Sequence, residues 1–262
     1  MTEFDEARHV DAMDWPRRGG FWRRLVASLI DYLVIVAVLY SLVAVLFLLT
    51  DGGVKGSFWL NWRICQSATV HGNASLDRYN WQVCRTSLLG LTVAEWAVGT
   101  NSNSQSGETP TISIDLDPQG NFRPEALDLG FLEFLVLVPC LFVSELKSGR
   151  SIGKRVMALM VHDQNDKSQI GLSVPKAARR QAMKFLGPLS MTLTGTWFAF
   201  RAWGSAPGIV QDFSGLEVVC ASVAVALTLI WPIWIGLSIA LGNEPIHDRF
   251  AATTVRVHEA HE

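Results

Sequence analysis

The 262-residue sequence predicts a mainly α membrane protein, a four-helix transmembrane bundle with a small β-rich extracytoplasmic insertion between helices 1 and 2. Three observations predict it. The chain is 49% hydrophobic and only 18% charged, whereas soluble domains carry about a quarter charged residues. The apolar residues collect in runs long enough to span a bilayer, which takes about 20 residues. The basic residues gather on alternate connections, the asymmetry that orients membrane proteins.

Each element follows in order. Residues 1–24 form a mixed-charge tail carrying Arg8, Arg17, Arg18, Arg23 and Arg24. The first span, 25–50, is too long for a signal-peptide core and no small-residue cleavage site follows it, so it is expected to be retained. The connection 51–128 holds five basic residues against eight acidic ones, which puts it outside. The second span is 129–146. The loop 147–184 holds nine basic residues in 38 and belongs in the cytoplasm. The third span, 185–200, is diluted by Ser190, Thr192, Thr194 and Thr196. The fourth, 216–241, leads to a tail, 242–262, that returns to the cytoplasm. The expected location is a bacterial inner membrane, multi-pass, with both termini cytoplasmic. Ten Trp residues, many near the ends of apolar runs, suit the headgroup layer.

The outside insertion reads as β-rich. Trp81–Arg85, Leu89–Val98 and Thr111–Leu116 are strand-like runs, and the alternation in the last suits a half-buried strand. Asp117-Pro118-Gln119-Gly120 reads as a turn, and Asn101–Glu108 as a flexible loop. Cys65 and Cys84 lie where an oxidising compartment permits a disulfide; two unpaired thiols are the alternative. Cys140 and Cys220 fall inside spans and read as small buried apolar residues.

Asp31 is the most informative residue of the first span. It follows Arg24 by seven positions, so both project on one helix face. A carboxylate about 10 Å below the interface needs pairing, solvation or protonation. It is read either as a functional proton- or cation-exchanging group or as part of a packing ion pair. The expected polar cluster comprises Arg24, Asp31, Lys154, Arg179, Arg180 and Asp248, with Asp31 within salt-bridge or one-water distance of a basic group. Glu145 could join it, whereas Glu133 is expected to be shallow and interfacial. Pro139 and Pro232 interrupt their helices and invite kinks.

Gly149-Arg150-Ser151-Ile152-Gly153-Lys154-Arg155 fails the phosphate-binding loop pattern, which needs four residues between its glycines and Ser or Thr after Lys. Val156–Val161 reads as a short strand, expected to pair with Thr253–Val257. Gly171–Lys184 reads as a basic amphipathic helix lying on anionic lipid. His247-Asp248 is weak evidence for acid–base chemistry. No metal-ligand cluster, cofactor motif or catalytic signature is read, so no enzyme activity is expected, and the net charge of −2 argues against nucleic acid.

These segments together resemble the RDD family of bacterial membrane proteins. Arg24 and Asp31 stand in Arg-Leu-Val-Ala-Ser-Leu-Ile-Asp. Gly149, Ser151, Gly153 and Lys154 fit the family's Gly-Lys loop, and Arg179 or Arg180 its following basic position. His247, Asp248, Thr253 and Val255 fit its closing segment. The resemblance runs from about Phe21 to Val257, apart from the insertion, which is longer than the family's usual link. It implies a compact membrane domain of undetermined biochemistry, for which transport of ions or small solutes has been suggested. The alternative is a non-catalytic scaffold, assembly factor or sensor whose outside lobe binds a partner. The expected partners are the lipid bilayer and a second copy or another membrane protein.

Overall fold

A computed structural model describes residues 16–67, 79–88, 90–100, 111–123, 126–166, 169–203 and 214–258. Helix α1 spans Phe21–Leu49. Strands β1 (Val54–Lys55), β2 (Trp62–Ser67), β3 (Asn80–Leu88), β4 (Leu91–Thr100), β5 (Thr111–Leu116), β6 (Phe122–Arg123) and β7 (Leu127–Asp128) follow. Then come α2 (Leu132–Ser148), α3 (Ile152–Val156), β8 (Leu159–Asp163), α4 (Val174–Lys184), α5 (Leu186–Trp203), α6 (Gly215–Ala240), α7 (Ile246–Ala251) and β9 (Thr253–Val257). The chain divides into two compact units, Met1–Leu33 with Val136–Glu262, and Val34–Leu135.

The four-helix transmembrane bundle is overturned. Among the described residues there are seven helices, and α1 and α6 are the two long and apolar enough to cross a membrane. Helix α2 has 17 residues, an internal Pro139 and a buried Glu133, short of the ~20 apolar residues a span requires. Helix α5 has the length, at 18 residues, but not the apolarity. Its Ser190, Thr192, Thr194 and Thr196 hydroxyls donate back to carbonyls three or four residues earlier, a satisfied but polar helix. "Mainly α" also understates the strands, because a five-stranded antiparallel sheet dominates the second unit.

That sheet has the order β2-β3-β4-β5-β6. Its core is Trp81, Ala97 and Leu116, with Val83, Ile112, Ile114 and Phe122 packed against them. The Asp117 turn closes β5 onto β6: its carboxylate accepts from the Gln119 and Asn121 N–H groups at 2.9 and 2.8 Å. Cys65 and Cys84 face each other across β2 and β3 and are bonded. The expected loop Asn101–Glu108 lies outside the described residues. Glu133 is not interfacial; it is fully buried and accepts the Trp59 N–H at 2.9 Å. Cys140 and Cys220 are exposed on their helices, not buried.

In the first unit, β8 and β9 pair antiparallel, Val161 opposite Val255. The expected strand at 156–161 starts late, because Ile152–Val156 is helical. Ser151 caps that helix, its hydroxyl accepting from the Lys154 N–H at 3.4 Å. Ala27, Leu159, Val161, Leu172, Ala177 and Val255 form the core beside it.

Candidate functional site

Helix α4 explains how the first unit collects its charges. Ala177, Arg180 and Gln181 are its buried residues, and with Lys184 they recur at the i, i+3, i+4, i+7 spacing of one helical face. The polar face therefore turns inward, and the expectation of a basic surface helix lying on lipid is corrected. Arg180 is 2% exposed. Arg179, on the opposite side, is exposed and outside the cluster. This resolves which of the two adjacent arginines is the cluster residue.

Two buried acids hold the network. Asp248, at the start of α7, accepts from Arg180 Nε at 2.7 Å and from Arg24 Nη1 at 2.9 Å. Glu145, near the end of α2, is paired with Arg180 and with Lys154, and accepts from Gln181 Nε2 at 2.7 Å. Arg24 spends its other donors on the Gly19 carbonyl at 2.8 Å, the Val255 carbonyl at 3.2 Å and Glu244 at 3.3 Å. Arg180 thus bridges both acids, and α1, α2, α3, α4 and α7 are tied through one set of charges.

Burial works against the Arg180 charge, but Asp248 and Glu145 more than offset it and raise its pKa. Burial likewise opposes the Asp248 carboxylate, while Arg180, His247 and Arg24 hold it below the usual range. For Lys154 burial wins over the pull of Glu145, and the ammonium is pushed down. Each ion is expensive to desolvate, so removal of one partner from such a network costs about 3–5 kcal/mol.

Asp31 stands apart from these pairs. It is 5% exposed. It is not ion-paired with Arg24, Lys154, Arg155, Arg179 or Arg180. Its carboxylate accepts instead from the Ser151 hydroxyl at 2.5 Å and the Gly153 N–H at 2.7 Å. The Gly-Arg-Ser-Ile-Gly segment, which fails as a phosphate loop, grips a carboxylate of its own chain. Gly153 is required by close approach: an added Cβ would lie 1.9 Å from the Ala27 carbonyl oxygen. Gly149 has φ +65°, and a Cβ there would meet the Val161 carbonyl at 2.7 Å.

The structure therefore brings together Arg24, Lys154, Arg180 and Asp248, places Asp31 on α3 and leaves Arg179 out. Sequence reasoning missed Gln181, Glu244 and the capture of Asp31 by Ser151. The signals for the last were an N-cap serine and a glycine two residues later. Among the described residues, no three His, Cys, Asp or Glu side chains converge to hold a metal ion. Comparison with known protein families, curated proteins and solved structures returns no match.

Proposed function

We propose that this chain is a non-catalytic membrane protein of RDD-like build that acts as a scaffold, assembly factor or sensor by binding a partner through its β lobe. The observation that carries this reading is strand β2. Among the described strands it ends the sheet, and all six of its residues are exposed. Trp62 and Ile64 are 70% and 49% exposed, and Trp59 and Leu60 just before them are 60% and 39%. A sheet edge with exposed apolar side chains, unpaired on its outer side among the described strands, is a template for an added strand. The partner is another membrane protein or a second copy of this chain; the net charge of −2 argues against nucleic acid.

Helices α1 and α6 are the anchors in this reading, and the Cys65–Cys84 bond supports an oxidising compartment for the lobe. The proposed setting is a bacterial inner membrane. Transport is the weaker reading, because the acid that motivates it is occupied. Asp31 is held by a hydroxyl and a backbone N–H, and Glu145 and Asp248 are each ion-paired.

Two measurements on the full chain test the proposal. Reconstituted in sealed vesicles, the protein should give no proton or sodium flux that Asp31→Asn abolishes. A photo-crosslinking residue at position 64 should yield one discrete adduct in native membranes, lost when Trp62 is changed to Lys. An Asp31-dependent flux, or no discrete adduct, overturns the reading.

A further inference from the structure

A cavity of about 300 Å³ opens in the first unit beside the ion-pair network. Its walls are apolar: Phe21 and Leu25 of α1, Phe185 and Pro188 at the α4–α5 junction, and Trp231 and Ile235 of α6 all line it. The Trp231 indole N–H is already spent on the Met183 carbonyl at 2.7 Å, so the ring contributes hydrocarbon surface. The lining also includes basic side chains: Arg24, Lys154, Arg180, Lys184 and His247.

Two of these polar side chains keep an unpartnered atom among the described residues, although His247 Nε2 lies 3.6 Å from Asp248 Oδ1. Arg24, Lys154 and Arg180 have carboxylate partners. Lys184 is half-buried and makes no ion pair within 4.0 Å; its ammonium sits over the Phe185 ring, 5.2 Å from the centroid. Burial and the neighbouring Lys154 and Arg180 charges push it down to about 8, against the pull of Glu145. His247 is 5% exposed and its Nδ1 has no hydrogen-bond partner. Buried polar atoms are ordinarily satisfied, so a cation without a counter-ion and a ring nitrogen without a partner, in one cavity, point to a ligand that brings an anionic acceptor.

The rest of the cavity specifies what that acceptor is attached to. An inorganic anion would leave the apolar walls in contact with water. On α6 the wall continues through Trp231, Pro232, Ile235 and Ile239, a surface along which a hydrocarbon tail would lie. We propose that the cavity is a binding site for an anionic, phosphate-bearing amphiphile, its head group on Lys184 and His247 and its tail against α6. This site is independent of partner binding by the β lobe, and either can fail without the other.

The test is calorimetric titration of the full chain in uncharged detergent with three probes: dihexanoylphosphatidic acid, dihexanoylphosphatidylcholine and sodium phosphate. Phosphatidic acid should bind at least about tenfold more tightly than either of the others. Lys184→Met should weaken phosphatidic acid about tenfold, the worth of one charge-assisted hydrogen bond. Gly236→Leu should abolish binding, because Gly236 lines the cavity and its Cβ position is free up to Phe21 at 3.6 Å, so a larger side chain fills the space. Equal affinity for phosphatidic acid and phosphatidylcholine overturns the charge recognition, and inorganic phosphate binding as tightly as phosphatidic acid overturns the amphiphile. Wild-type affinity in Gly236→Leu overturns the site itself, and this variant decides alone if Lys184→Met does not fold.

Discussion

Replacement of Asp31 by Ala removes both acceptors that hold α3 on α1. The Ser151 hydroxyl, whose residue is 2% exposed, and the Gly153 N–H are left without their carboxylate. An orphaned buried donor costs about 1–3 kcal/mol, so the pair costs about 2–6 kcal/mol. The hydroxyl can rotate toward another acceptor, which brings the expectation to about 3 kcal/mol. For a chain of this size that lowers the melting temperature by roughly 6–12 °C. Asp31→Asn should cost less, about 1 kcal/mol. Its amide oxygen keeps the Gly153 N–H and its NH2 can donate to the serine, so only the charge assistance is lost. Thermal unfolding in detergent, followed by tryptophan fluorescence, gives the order wild type, Asn, Ala. An Ala variant that melts with the wild type, or an Asn variant that melts below it, would refute the claim that this carboxylate is a structural clasp.

Gly153→Ala should destabilise by at least about 1–3 kcal/mol, the usual cost of overpacking, because its Cβ meets the Ala27 carbonyl at 1.9 Å; an unchanged melting temperature would contradict that approach. Loss of the Cys65–Cys84 bond, which spans a sequence separation of 19, should cost about 3 kcal/mol in the chain-entropy account, measured as the urea midpoint of the lobe with and without reductant. Acid should destabilise the first unit. Burial pushes His247 from 6.5 down to about 3 despite Asp248, so between these values the unfolded chain binds a proton that the folded chain refuses. Stability then falls by up to about 1.4 kcal/mol per pH unit on going from about pH 6 to pH 4. The lowered Asp248 acts in the same direction below its ordinary value, and His247→Gln should flatten the upper part of that limb.

What the sequence made legible was placement more than partnership. Arg24 and Asp31 on one face of α1 followed from helical geometry, and both point inward. Which group each would meet did not follow, because the competitors lay in segments 120 and more residues away. A nearest-charge argument favoured Lys or Arg for Asp31. It overlooked that a capping serine and a close-packed glycine supply two donors without a second desolvated charge. The spans misled for a related reason: an apolar run does not by itself mark a crossing, and α2 buries Leu137 and Leu141, exposes Leu135 and Val143, and carries buried Glu133 and Glu145 near its two ends. The strand pair β8–β9 was legible from β-branched residues, but the helical turn at Ile152–Val156 took over the first residues assigned to it.

The ion-pair network also sets a schedule. Arg24 and Asp248 are separated by 224 positions, and synthesis proceeds at about 5–20 residues per second, so roughly 10–45 s elapse between their appearances. Throughout that interval Arg24 lacks this acid, Arg180 is added only in its last third, and α7 does not yet exist to close the unit. A chain that stops short of position 248 carries α1 and α6 and can pair Arg180 with Glu145, but lacks the acid that joins Arg180 to Arg24. Closure of the first unit on this pair therefore waits for α7, whatever forms earlier.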